Sequence, residues 1–163
     1  MDYQYLLFAH LLGFAIFLLA HGASTFVAAS LGRERDPARL RTLLDLSLAS
    51  LPMVYIGLLL LIGSGIWLGF VGGYWQSGWI WTAIGVLVLM LVLMIAVAAP
   101  YFDRLRVAVG LQGKRSSRQV PLGPVASDTE LNALLSGPQP RIIMLIGVLG
   151  LLAILALMVL KPF

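Results

Sequence analysis

The apolar residues fall into four long runs. They extend from Tyr5 to about Leu31, from about Leu46 to Val71, from Trp79 to Ala99 and from Ile142 to Leu160. A run of roughly 18 or more apolar residues can cross a hydrocarbon core of ~30 Å as a helix. The polar interruptions of the first run are His10, His21, Ser24, Thr25 and Ser30. That run lacks a basic leading region and is longer than the apolar part of a cleaved leader, so it is expected to remain as a span. The pattern predicts an all-α fold, a four-helix transmembrane bundle forming a single membrane domain over residues 1–163.

Punctuation sharpens the helix ends. Asp36-Pro37 reads as an N-cap followed by proline at the first helical position. Helix two should then run from Pro37 to Val71, ~52 Å at 1.5 Å per residue, with its first turns outside the hydrocarbon. There Arg41 and Asp45, four apart, are expected to pair. Pro52 should kink this helix, and Pro100 should do the same near the inner end of the third. Gly65 and Gly69 form a small-xxx-small pattern that supports close helix crossing, within the bundle or in a dimer.

Composition removes the soluble alternatives. The chain is 60% hydrophobic and 11% charged, against about 25% charged for an ordinary soluble domain. It contains no cysteine, which excludes disulfides, iron–sulfur clusters, cysteine-ligated zinc and thiol catalysis. The formal charge is +4, and its distribution carries the information. Arg33, Arg35, Arg39 and Arg41 follow the first run; Arg104, Arg106, Lys114, Arg115, Arg118 and Arg141 follow the third; Lys161 alone lies at the other end. Basic residues mark the cytoplasmic side, so both termini are expected on the non-cytoplasmic side of the membrane. Trp67, Tyr74, Trp75, Trp79 and Trp81, with Tyr3 and Tyr5, fit an outer aromatic belt. The basic stretches lack the interleaved aromatics of a single-strand binder, so the expected surroundings are lipid and no nucleic acid.

Residues 103–140 form the one long polar segment, read as a cytoplasmic basic loop. Its first half is held at the surface by anionic lipid or simply retained on the cytoplasmic side. In its second half Ser127-Asp128-Thr129-Glu130 is a capping-box pattern, followed by Leu131, Leu134 and Leu135 and then Gly137-Pro138 as a stop. A helix this short is marginal alone in water. It should lie on the membrane surface or dock on the bundle, its leucines offering a partner contact.

Chemistry is sparse. There is no phosphate loop, no His-Glu-x-x-His and no nucleophile elbow, and no carboxylate lies deep in a span. An enzyme acting alone is therefore not expected. The two histidines, His10 and His21, both fall in the first span. Eleven residues apart, they lie on one helical face, separated by ~16 Å along the axis. Gly13, Phe17, Ser24, Thr25 and Ala28 share the stripe, and small residues there leave room for a neighbouring helix or a flat ligand. Three readings stand. The histidines hydrogen-bond across the bundle, in a structural or assembly subunit of a larger membrane complex. Alternatively, one of them ligates b-type haem, with methionine or a second copy's histidine as the other ligand. By depth, His21 pairs with Met94 or Met53, and His10 with Met158. In the third reading His10, His21 and methionines contact copper, which suits imidazole and thioether donors, or a quinone. Met90 and Met94, four apart, share a face, although methionines routinely fill apolar cores.

Three segments carry a family resemblance: Phe8-Ala9-His10-Leu11-Leu12-Gly13, Asp36-Pro37-Ala38-Arg39-Leu40 and Leu157-Met158-Val159-Leu160-Lys161-Pro162. In these the chain resembles the bacterial integral membrane family called domain of unknown function 2269, of the copper-resistance D-like superfamily. The resemblance implies a four-helix membrane protein. Haem-containing membrane protoporphyrinogen oxidases are similar and share a histidine at the position of His10; only that residue carries over. Where relatives tend to have tryptophan and then glycines, this chain has Phe17 and His21-Gly22, so the resemblance does not cover His21 and does not carry the oxidase activity. The expectation is a small inner-membrane accessory protein binding haem b for electron transfer or haem handling, alone, as a homodimer or in a larger complex.

Overall fold

A computed structural model describes residues 2–113 and 125–163. Helix α1 spans Tyr3–Leu31 and α2 spans Pro37–Val71. The second starts where its cap chemistry dictates: the Asp36 side chain accepts from the Ala38 N–H at 3.0 Å, and Pro37, with no N–H to satisfy, opens the first turn. Helix α3, Gly78–Leu93, continues through a π-turn at Met94–Ala98 into α4, Ala99–Ala108. The π-turn sits where Pro100 removes an N–H and pushes against the preceding turn. The expected disturbance near Pro100 therefore takes the form of a widened turn, and the helix goes on. Helix α5, Asp128–Ser136, begins with the anticipated capping box, in which Ser127 Oγ accepts from the Glu130 N–H and Glu130 accepts from the Ser127 N–H. Helix α6 covers Gln139–Leu160. Among the described residues the chain is all-helical, and four helices are long and apolar enough to cross a membrane.

The deepest packing lies at one end of the bundle. Val27 and Leu31 of α1, Leu40 and Leu44 of α2, Leu105 of α4, Leu131 and Leu135 of α5 and Ile143 of α6 form one buried cluster. Away from this end the pattern inverts. Leu59 is 76% exposed, and Leu19, Phe26, Phe70 and Ile95 also point outward. Such a surface is stable only in an apolar solvent, and there helices associate through close packing and polar contacts rather than through apolar burial. The structure shows this along α1 and α2. A Cβ on Gly13 would stand 2.7 Å from the Leu61 nitrogen, and one on Gly57 would stand 2.9 Å from Phe17 Cα. The close crossing is therefore at Gly13 and Gly57. Gly65 and Gly69, the expected pair, serve instead as seats for the His10 ring and the Trp75 indole.

The end with the deep core departs from the sequence reading in three ways. The helix continues to Ala108, so Arg104 and Arg106 are helical rather than in a loop. Asp45 pairs with Arg106 (3.0 Å) and not with Arg41. Arg106 is 9% exposed and also donates to the carbonyls of Leu44 (3.2 Å) and Gln112 (3.1 Å), while Arg41 Nε donates to the Val109 carbonyl at 2.7 Å. The buried guanidinium needs acceptors on several sides, and Arg41 reaches the unsatisfied carbonyls ending α4. Finally, Leu131 and Leu135 are spent in the buried cluster with Leu134 packed against it, so these leucines are not free for a partner. Lys114, Arg115 and Arg118 lie outside the described residues.

At the opposite end the aromatic residues gather as anticipated. Tyr3 and Tyr74 share a hydroxyl hydrogen bond (3.2 Å), the Trp79 N–H donates to the Phe163 carbonyl (3.1 Å), and Lys161 lies over the Tyr74 ring at 4.6 Å. Both ends of the chain thus meet the α2–α3 turn, at the same end of the bundle.

Candidate functional site

The two histidines of α1 have different neighbours. His10 Nδ1 lies 3.0 Å from the Leu61 carbonyl and 3.2 Å from Ser64 Oγ. A carbonyl only accepts, so Nδ1 carries the proton and donates, leaving the lone pair on Nε2. Ser64 Oγ donates in turn to the Leu60 carbonyl at 2.5 Å. His10 therefore ties α1 to α2. The same hydrogen bond is also how a ligating histidine is commonly oriented by its far nitrogen.

His21 faces α6. Its ring stacks on Phe17, with centroids 5.3 Å apart and planes 7° from parallel. Its Nε2 is buried and has no hydrogen-bond partner. Buried polar groups are satisfied in the great majority of cases, and an exception asks for a reason. Gly147 covers this nitrogen, and only glycine fits there: a Cβ would stand 2.8 Å from His21 Nε2 and 3.3 Å from Met94 Cε. One turn away, a Cβ on Gly150 would stand 2.7 Å from Met90 Sδ. Helix α6 thus offers two glycine notches to the side chains of α1 and α3. Beside His21 an apolar groove of about 350 Å³ runs between α1 and α6, lined by Leu18, Gly22 and Thr25 on one wall and Gly147 and Val148 on the other.

The structure brings together His21 and Met94, both at Gly147. Met53 is 50% exposed on the outside of α2, and His10 is engaged with α2 while Met158 lies near the end of α6. Met90 is buried on Gly150. Among the described residues no group of three His, Cys, Asp or Glu side chains converges, so any metal here would be held by imidazole and thioether alone or by a cofactor's own ligands. The site fits b-type haem in its donor chemistry. An imidazole nitrogen without a hydrogen bond lies against Gly147, the Met94 methyl adjoins the same glycine, and the groove beside them is apolar. Gly147 escaped the sequence reading, and Gly22 entered it only as a departure from the family pattern. Glycines inside a helix otherwise built of leucine, isoleucine and valine were the available signal, since each costs helix stability without a packing reason.

No family model matches the chain, and neither does any curated protein or solved structure compared with it.

Proposed function

We propose that this chain is a multi-pass protein of a bacterial cytoplasmic membrane, both termini on the non-cytoplasmic face, that binds b-type haem through His21 for electron transfer or haem handling. The observation carrying this reading is the buried, unpartnered Nε2 of His21 beside an apolar groove. When bound, haem supplies one-electron chemistry. The chain's own residues bind and orient. His21 offers the nitrogen, Phe17 fixes the plane of its ring by stacking, and the apolar walls exclude water. Met94, which meets His21 at Gly147, would supply a thioether donor. The orientation rests on seven described basic residues at the deep-core end, Arg33, Arg35, Arg39, Arg41, Arg104, Arg106 and Arg141, against Lys161 at the other.

The test is the visible spectrum of protein purified from haem-replete cells, oxidised and then dithionite-reduced, for wild type, His10→Ala and His21→Ala. A Soret band that His21→Ala abolishes and His10→Ala preserves supports the reading. A colourless wild type, or a band indifferent to His21→Ala, overturns it. The second reading is a cofactor-free structural subunit, favoured by the His10–Leu61 hydrogen bond and by the seating of Met90 on Gly150. It expects a colourless protein that purifies with larger partners.

A further inference from the structure

The basic end of the bundle holds a polar cavity of about 470 Å³, lined by Arg35, Asp128, Leu131 and Asn132. That volume is in the range of small-molecule sites. Asp128, Leu131 and Asn132 are spaced i, i+3 and i+4 in α5, so they share one helical face. Leu131 is buried in the deep cluster and anchors that face. Arg35 comes from the turn between α1 and α2. Arg35 and Asp128 bear opposite charges on one cavity, yet they form no ion pair with each other. Arg35 is pinned, because its Nη1 donates to the Gly32 carbonyl at 3.1 Å and to the Glu34 carbonyl at 2.7 Å. Nε and Nη2 remain as donors. The Glu34 carboxylate is engaged by the N–H groups of Arg35 and Asp36 and by Arg39. The side chains of Asp128 and Asn132 have no partner among the described residues.

Independently of what His21 holds, we propose that this cavity binds a phosphoethanolamine group, its phosphate on Arg35 and its ammonium on Asp128 and the Asn132 amide oxygen. Two fixed and unpaired opposite charges facing one space are complementary to a small zwitterion. A guanidinium matches phosphate oxygens, and an ammonium brings three N–H donors to the carboxylate and the amide oxygen. None of the lining residues is aromatic. A trimethylammonium has no N–H to donate and is recognised through aromatic faces, so the cavity discriminates against choline. A headgroup with phosphate and no ammonium leaves Asp128 unanswered. The apolar run of α1 ends at Leu31 and Arg35 follows four residues later. The cavity therefore lies where the spans leave the hydrocarbon, and the zwitterion at that depth is a phospholipid headgroup.

The test is native mass spectrometry of the full chain in detergent, exchanged against equimolar phosphatidylethanolamine, phosphatidylcholine and phosphatidylglycerol of one acyl composition. Wild type is expected to retain phosphatidylethanolamine about tenfold over the other two, the effect of one charge-assisted contact. Arg35→Gln should lower that retention by about tenfold, and Asp128→Asn should erase the preference over phosphatidylglycerol. Arg33→Gln removes the same charge outside the cavity lining and should keep the wild-type preference. Tryptophan fluorescence through an SDS titration identifies a variant that does not fold; if Arg35→Gln is one, Asp128→Asn, on the exposed first turn of α5, carries the test. Soluble glycerophosphoethanolamine separates the two sources of this chemistry. If it displaces the lipid at equal concentration, the ligand is the free compound; if it does not, the ligand is the lipid. Equal retention of the three lipids with no binding of glycerophosphoethanolamine overturns the proposal. So does a wild type that prefers phosphatidylglycerol, or a preference indifferent to both Arg35→Gln and Asp128→Asn.

Discussion

Gly13→Ala gives the sharpest test of how the span region holds together. The added Cβ would stand 2.7 Å from the Leu61 nitrogen, where ordinary contact begins at 3.4 Å, and its nearest neighbours are backbone atoms that cannot rotate away. The helices must therefore separate by about 0.7 Å at this point. His10 is one turn along α1, and its Nδ1 is 3.0 Å from the Leu61 carbonyl. The same displacement stretches that hydrogen bond beyond useful length. Overpacking costs about 1–3 kcal/mol, and an interhelical hydrogen bond in a membrane is worth ~0.6 kcal/mol. We expect a loss of about 2 kcal/mol or more. The assay is unfolding from mixed micelles by SDS titration, followed by the fluorescence of the four tryptophans. His10→Ala alone should cost less, and the double substitution should cost less than the sum, since Gly13→Ala has already broken the bond. Gly22→Ala is the control: its Cβ meets nothing within 4 Å, and it should be neutral or stabilising. If Gly13→Ala unfolds with the wild type, or if it and Gly22→Ala behave alike, the close crossing at Gly13 and Gly57 does not hold these helices.

Leu135 is 2% exposed in the deep cluster and Leu59 is 76% exposed among the lipid-facing residues. Leu135→Ala should cost about 2–5 kcal/mol in the same titration and Leu59→Ala under about 0.5 kcal/mol; equal effects would contradict the placement of the core. Arg106→Gln removes the charge from a buried guanidinium serving α2, α4 and the segment after it, and should cost about 2–4 kcal/mol. Asp45→Asn, on the 58% exposed partner, should cost less than about 1 kcal/mol. The Glu130 carboxyl is held below its ordinary value of 4.5 by the Ser127 N–H and then the Ser127 hydroxyl. A depressed carboxyl stabilises the fold above its unfolded value, and that contribution is lost as pH falls through the folded one. Amide-exchange protection in α5 should therefore be constant from pH 7 to 5 and fall below about pH 4.5; Ser127→Ala, which removes the hydroxyl and keeps the N–H, should weaken that dependence, and Glu130→Gln should abolish it.

The haem reading divides the same way between local chemistry and placement. That two histidines lie on one stripe of the first helix follows from helical geometry and was legible at once. What each ring meets was not, because it depends on where α2 and α6 cross α1. His10 reaches the Leu61 carbonyl, a backbone group that no sequence pattern reveals. By depth in the membrane Met53 and Met94 are equal candidates for His21. The fold turns Met53 outward and seats Met94 on Gly147 beside the ring. Arg41 and Asp45 have the spacing of an ion pair, yet the arrival of α4 gives each a different partner.

The sequence by itself determined the helices, the ends that carry caps and their solvent, whereas the third span runs on to Ala108, past its apolar run. Runs of apolar residues, Asp36 before Pro37 and the Ser127 capping box act through neighbours in the chain, and lipid satisfies the apolar faces whatever the packing. Only the tertiary structure decided which polar atoms are answered. Within a membrane one apolar surface is as good as another, so the arrangement of helices is set by a few glycine notches and hydrogen bonds between residues far apart in sequence. From that arrangement come the engaged nitrogen of His10, the unanswered nitrogen of His21 and the buried arginine at the base of α4.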